Sequence, residues 1–157
     1  MIPLEDAQSH VMKNIKTLND ENVHLLQGRN RAITEPILSN ESIPPFDNTA
    51  VDGYAVKAID TKGATQETPI SLTVLETIAA GKPPTFAIQS GECSKIMTGA
   101  PIPDGADAVV MVERTEQQEN GSVVAIEEEV SKGQHIRRSG EDLESGDLVI
   151  PQGTILN

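Results

Sequence analysis

The sequence predicts an α+β fold, mainly β: a β-rich inserted domain, plus a partial helix/strand domain built from the N- and C-terminal segments. Three observations predict it. Apolar residues recur at spacings of three and four only near the N-terminus, the signature of an amphipathic helix. Further along they alternate in short runs, as half-buried strands do. Twelve Gly and ten Pro in 157 residues favour many short strands and turns over a helical bundle. The expected boundaries are 1–45 with 135–157 for the partial domain, and 46–134 for the β-rich one.

The helix is read from Leu4, Ala7, Val11, Ile15 and Leu18, with polar residues between. Pro3 suits its first turn, and Glu5 and Asp6 favour its positive end. The run Asn19–Asn22 is expected to end it. Ala32–Leu38 reads as an extended edge, because Pro36 cannot donate to a ladder. Pro44-Pro45 stiffens the approach to the next turn, and Asp47-Asn48 can close an Asx-turn. Asp52-Gly53 suits a tight turn with positive φ, with Phe46 and Tyr54 as anchors. Ile70, Leu72 and Val74 share one strand face, Ala79–Pro84 is a loop, and Cys93–Thr98 is a further strand. Pro103-Asp104-Gly105 is turn chemistry. Asn120-Gly121 between two apolar runs predicts a hairpin, with the intervening polar residues lengthening the loop or the first strand. Short strands punctuated by SG, ESGD and PQG follow. The chain then stops just after a turn, with no capping element, which reads as a truncation.

Composition narrows the function classes. A net charge of −12 repels nucleic acid and anionic membranes. An anionic ligand therefore needs local Arg or Lys, a bridging cation or another domain. No run of about 18 apolar residues and no signal-peptide layout is visible, and the single Cys93 excludes an internal disulfide. The expected location is cytoplasmic. His10, His24 and His135 have no metal-ligand spacing with Cys93, and neither a phosphate loop nor a nucleophile elbow occurs.

Three segments carry the chemistry candidates. In PPFDNTAVDGYAV, Asp52 is either part of a pinned turn or a carboxylate held rigidly at a strand end. In IMTGAPIPDGADAVV, Thr98-Gly99 offers a hydroxyl and an approachable backbone, or simply a bend. In IRRSGED, adjacent Arg side chains leave an extended chain on opposite faces. They either grip an anion or form a local ion-pair cluster with Glu141 and Asp142.

PPFDNTAVDGYAV, AAGKPP, GECSKIMTGAPIPDGADAVVMVE and IRRSGED, in this order, resemble the N-terminal region of the MoeA family, the molybdopterin molybdenumtransferases, related to the E domain of gephyrin. The resemblance covers nearly the whole chain. It implies a transferase that inserts molybdate into adenylylated molybdopterin, releasing AMP and requiring Mg²⁺. It implies homodimers of four-domain subunits, with a ligand site between domain II of one subunit and domain III of the other. By this match Asp52 and Asp142 are catalytic carboxylates around a metal-bridged ligand, and Thr98 and Arg137 bind substrate. Thr49, Val51 and Gln27 stand where the family usually has Ser, Met and Ala-Leu-Gly-Arg's Leu. With no domain III or IV in 157 residues, the chain by itself is expected to be inactive. The alternative is a gephyrin-like scaffold module without catalysis.

Overall fold

The structure, a computed structural model, describes residues 2–157. Its elements are α1 (Leu4–Asn14), β1 (Ile37–Leu38), β2 (Asn48–Thr49), β3 (Gly53–Val56), β4 (Ile70–Ile78), β5 (Glu92–Ile96), β6 (Ala108–Met111), β7 (Thr115–Gln118), β8 (Val123–Ile126), β9 (Ile136–Arg137) and β10 (Leu148–Ile150). The described residues are thus mostly β, with one α-helix. They fall into two compact units, the residues up to Ile37 with Leu148–Asn157, and Leu38–Asp147.

In the first unit α1 ends at Asn14, short of the expected Leu18. The Asn14 side-chain amide donates to the His10 carbonyl at 2.7 Å, the acceptor its own backbone N–H would use. Ile15 then turns extended, with φ −82° and ψ 133°. No residue of α1 is buried, so no packing within the described residues extends the helix past this competition. The N- and C-terminal segments are stitched by backbone bonds: Asn30 N–H to Leu156 O, Ile33 N–H to Thr154 O, and Leu156 N–H to Arg31 O.

The second unit is built on a six-stranded sheet in the order β6-β3-β5-β4-β8-β7. Only β4 and β5 run parallel; the other pairs are antiparallel. Alternation along the strands sends side chains into two apolar clusters. Tyr54, Val56, Leu72, Cys93, Val110, Val124 and Ile126 join one, and Ala55, Ile78, Ile96 and Val109 the other. A register shift between Val74 and Thr77 gives β4 one extra residue opposite β5. That bulge reverses the facing of Ile78 relative to Leu72 and Val74. The hairpin at Asn120-Gly121 forms, but its first strand is the polar run itself, Thr115–Gln118, paired with Val123–Ile126, and not the apolar run expected there. The apolar run Ala108–Met111 is a separate strand beside β3.

Two local expectations are corrected. Gly53 lies within β3 and does not take positive φ. It is required for space, since a Cβ there would sit 1.9 Å from the Val110 carbonyl oxygen. Phe46 is 43% exposed and anchors no core, whereas Tyr54 is wholly buried. The Tyr54 hydroxyl makes no well-formed hydrogen bond, and burial pushes its pKa up despite the nearby Gln117 amide.

Candidate functional site

The candidate site begins with the bend between β2 and β3. The Thr49 hydroxyl accepts from Val51 N–H at 3.1 Å and donates to Val51 O at 2.6 Å, closing the bend on itself. The Thr49 backbone is tied to the segment after β5: its N–H donates to Ala100 O, and Gly99 N–H donates to its carbonyl. This brings residues 97–100 alongside 49–52. Asp52 leaves the bend at the start of β3, with its carbonyl fixed by Val112 N–H at 3.0 Å.

Thr98 occupies a turn that follows β5. Ala100 N–H closes it onto Met97 O, and Gly99 takes the φ of +80° that a type II turn requires at that position. The turn aims both donors of Thr98 at one atom. Its backbone N–H and its hydroxyl each donate to Asp52 Oδ1 at 2.7 Å. These bonds, the backbone one first, hold the Asp52 carboxyl below the usual range against a small opposing effect of burial. Asp52 is therefore ionised and oriented, yet exposed, and Oδ2 takes no hydrogen bond among the described residues.

The second cluster lies where β2 meets β9. Asn48 pairs with Arg137 and Thr49 with Ile136. The Asp47 carboxylate accepts from Ser139 N–H at 2.8 Å and pairs with the Arg138 guanidinium at 2.5 Å. The Ser139 N–H and then Arg138 lower the Asp47 pKa. Asn48 makes the local bond of this turn, its amide donating to Phe46 O at 3.3 Å. Arg138 N–H also donates to Glu141 Oε2 at 2.8 Å.

The structure thus joins two of the four predicted site residues, Asp52 and Thr98. Arg137 and Asp142 are exposed, and their side chains make no hydrogen bond or ion pair among the described residues, to each other or to Asp52. The backbone N–H of Asp142 donates to Ile43 O at 2.9 Å, which places it on the same stitched segment as Arg137. Asp47, Arg138 and Ser139 form the network that sequence reasoning missed. The alternation of the Arg pair was the available signal, but it did not say which Arg meets which carboxylate. Two clefts in the first unit, lined among others by Asp20, Glu21, Ile33 and Thr34, include none of these residues.

Among the described residues no three His, Cys, Asp or Glu side chains converge to hold a metal ion. Asp52 nevertheless fits Mg²⁺ as a single ligand: an ionised, hard oxygen with one lone-pair face open. Mg²⁺ is often held by one or two carboxylates together with substrate phosphates and water, so a full protein cage is not required.

The family model described as MoeA N-terminal region (domain I and II) matches residues 2–157. The chain is 40% identical over 158 residues to molybdopterin molybdenumtransferase 2 of Mycobacterium tuberculosis, covering 99% of this chain and 38% of that protein. It is 36% identical over 155 residues to molybdopterin molybdenumtransferase of Bacillus subtilis, covering 98% and 36%. Among solved structures it matches the molybdopterin biosynthesis moeA protein of Pyrococcus horikoshii OT3 with a TM-score of 0.90 and 37% identity, over 100% of this chain and 41% of that one. The chain spans well under half the length of these relatives.

Proposed function

This chain belongs to the MoeA N-terminal family (domains I and II), and on that premise we propose that it is the N-terminal part of an enzyme of molybdenum cofactor biosynthesis. The reaction is insertion of molybdate into adenylylated molybdopterin with release of AMP. The observation that carries the reading is Asp52, an exposed and ionised carboxylate whose Oδ1 is immobilised by both donors of Thr98 while Oδ2 remains open. Such a group has little reason to be oriented so closely unless something external meets it.

In this reading Asp52 and Asp142 would be the carboxylates that hold Mg²⁺. The ion, when bound, neutralises phosphate oxygens of the anionic substrate. Asp52 does its part by presenting a fixed negative oxygen; Thr98 keeps that oxygen from rotating away. Thr98 has spent both its donors on Asp52, so toward substrate its hydroxyl can only accept. Arg137, whose guanidinium has no carboxylate partner among the described residues, offers paired N–H donors to a phosphate. An acidic chain thereby handles an anion through one cation and one guanidinium.

The division into domain I (1–45 and 135–157) and domain II (46–134), and homodimerisation of the longer protein, are part of the same proposal. Among the described residues no three potential metal ligands converge, so by itself the chain is expected not to turn over.

The test is Asp52→Asn in the full-length protein, read as Mg²⁺- and molybdate-dependent AMP release. Asn keeps an oxygen for Thr98 to donate to, so folding is retained while the charge is lost. Activity is expected to fall by at least about tenfold, the lower range for disturbing a metal's surroundings. Full activity in a folded Asp52→Asn protein, or turnover by the 157-residue chain, would refute the corresponding part.

A further inference from the structure

We infer that Asp47 is a positioning residue: it holds Arg138 and Ser139 so that the adjacent Arg137 stays unpaired and available to an anionic ligand. The inference rests on the reading of Arg137 given above.

In an acidic chain a guanidinium is expected to find a carboxylate. Three of the five Arg do so among the described residues: Arg31 pairs with Glu21, Arg114 lies 3.9 Å from Glu128, and Arg138 pairs with Asp47, whereas Arg29 and Arg137 make no ion pair. Arg137 is flanked in sequence by Glu141 and Asp142 and sits across the β2/β9 ladder from the residue after Asp47. Yet it makes no ion pair among the described residues. Two nearby carboxylates, those of Asp47 and Glu141, are occupied instead, and Asp142 makes no side-chain bond among the described residues. Asp47 uses Oδ1 on Ser139 N–H and Oδ2 on Arg138. Glu141 uses Oε2 on Arg138 N–H, closing the 138–141 turn, in which Glu141 N–H donates to Arg138 O at 3.1 Å.

The geometry follows from strand alternation. Side chains at 137 and 138 depart to opposite faces. Arg138 goes to the face of Asp47, and Arg137 goes to the other. The stitching continues through backbone bonds, with Gly140 N–H on Pro44 O and Asp142 N–H on Ile43 O, both at 2.9 Å. The ladder between β2 and β9 is only two residues long, and Asp47 supplies the side-chain bonds at its end. Removing its charge releases the Arg138 side chain and weakens the hold on Ser139, leaving the 138–141 turn secured only by Glu141 beside Arg137.

The test uses Asp47→Asn, Arg138→Gln and their double variant in the full-length enzyme, with Arg137→Gln alongside. Each clamp variant is expected to raise KM for the anionic pterin substrate about fivefold, the effect of losing a partly exposed ion pair, with kcat within about twofold. The double variant is expected to be no worse than either single one, because one contact is shared. Hydrogen exchange at the Gly140 and Asp142 amides reads the clamp without turnover and is expected to quicken in Asp47→Asn. A lower unfolding midpoint with KM and exchange unchanged overturns the proposal, leaving Asp47 purely structural. So does a KM raised in Arg138→Gln but unchanged in Asp47→Asn, which makes Arg138 itself the ligand. Unchanged kinetics in Arg137→Gln sinks the earlier reading of Arg137 instead, while faster exchange in Asp47→Asn still reports the clamp.

Discussion

Asp52 Oδ1 accepts both the backbone N–H and the hydroxyl of Thr98, each at 2.7 Å, across 46 residues of sequence. Two donors on one oxygen fix the carboxylate plane and leave the other oxygen outward.

Thr98→Val keeps the backbone donor and removes the hydroxyl. Because Asp52 is exposed, folding stability is expected to change by less than about 0.5 kcal/mol. AMP release by the full-length protein is expected to fall roughly tenfold, the scale of one hydrogen bond to a charged group. Thr98→Ser, which keeps the hydroxyl, restores most of it. Thermal unfolding measured beside steady-state rates separates the two effects; a stability loss without a rate loss counts against the positioning role.

Gly53→Ala probes the close approach of β3 and β6. The added Cβ would lie 1.9 Å from Val110 O and 2.9 Å from Val110 C, and both are backbone atoms held in the β3/β6 ladder rather than the far end of a flexible side chain. A destabilisation of about 3 kcal/mol is expected, at the upper end for overpacking. Urea unfolding of the 157-residue chain checks it: the midpoint drops while the slope is retained.

Acid sensitivity follows from two depressed carboxyl pKa values. Asp47 and Asp52 titrate below the ordinary aspartate value of 3.8 when folded. A depressed folded pKa means the unfolded state binds protons first as pH falls. The contribution of these groups is complete above about 3.8 and is lost as pH drops through the folded values. Unfolding midpoints measured from pH 5 to pH 2.5 are expected to fall in that window, and to fall less steeply in Asp47→Asn. A wild-type slope in that variant argues against the clamp.

Cys93 is wholly enclosed in the first apolar cluster, and burial pushes its thiol from the ordinary 9.0 up to about 12. Since the thiolate is the reactive form, alkylation of the native chain at pH 8 is expected to be slower than in urea by about 10³-fold or more. Mass spectrometry of timed samples reads this directly, and rapid labelling of folded chain would contradict the burial.

Local chemistry made part of this protein legible from sequence. The first helix, the long strand at Ile70–Ile78, the Pro103-Asp104-Gly105 turn and the hairpin at Asn120-Gly121 all follow from periodicity or turn residues acting over a few positions. The order of four motifs likewise carried the family. Tertiary structure decided the rest, because it depends on register between distant segments. Arg138 meets Asp47 across 91 residues, and only the pairing of Asn48 with Arg137 determines which Arg turns toward it. Gly53 looked like a turn glycine and is a spacing glycine, for reasons that lie on β6. Ile78 changes face through a bulge that no alternation pattern announces. Asp52 and Thr98 were visible as candidates. That one exists to hold the other became apparent only when the turn after β5 was brought against the bend before β3.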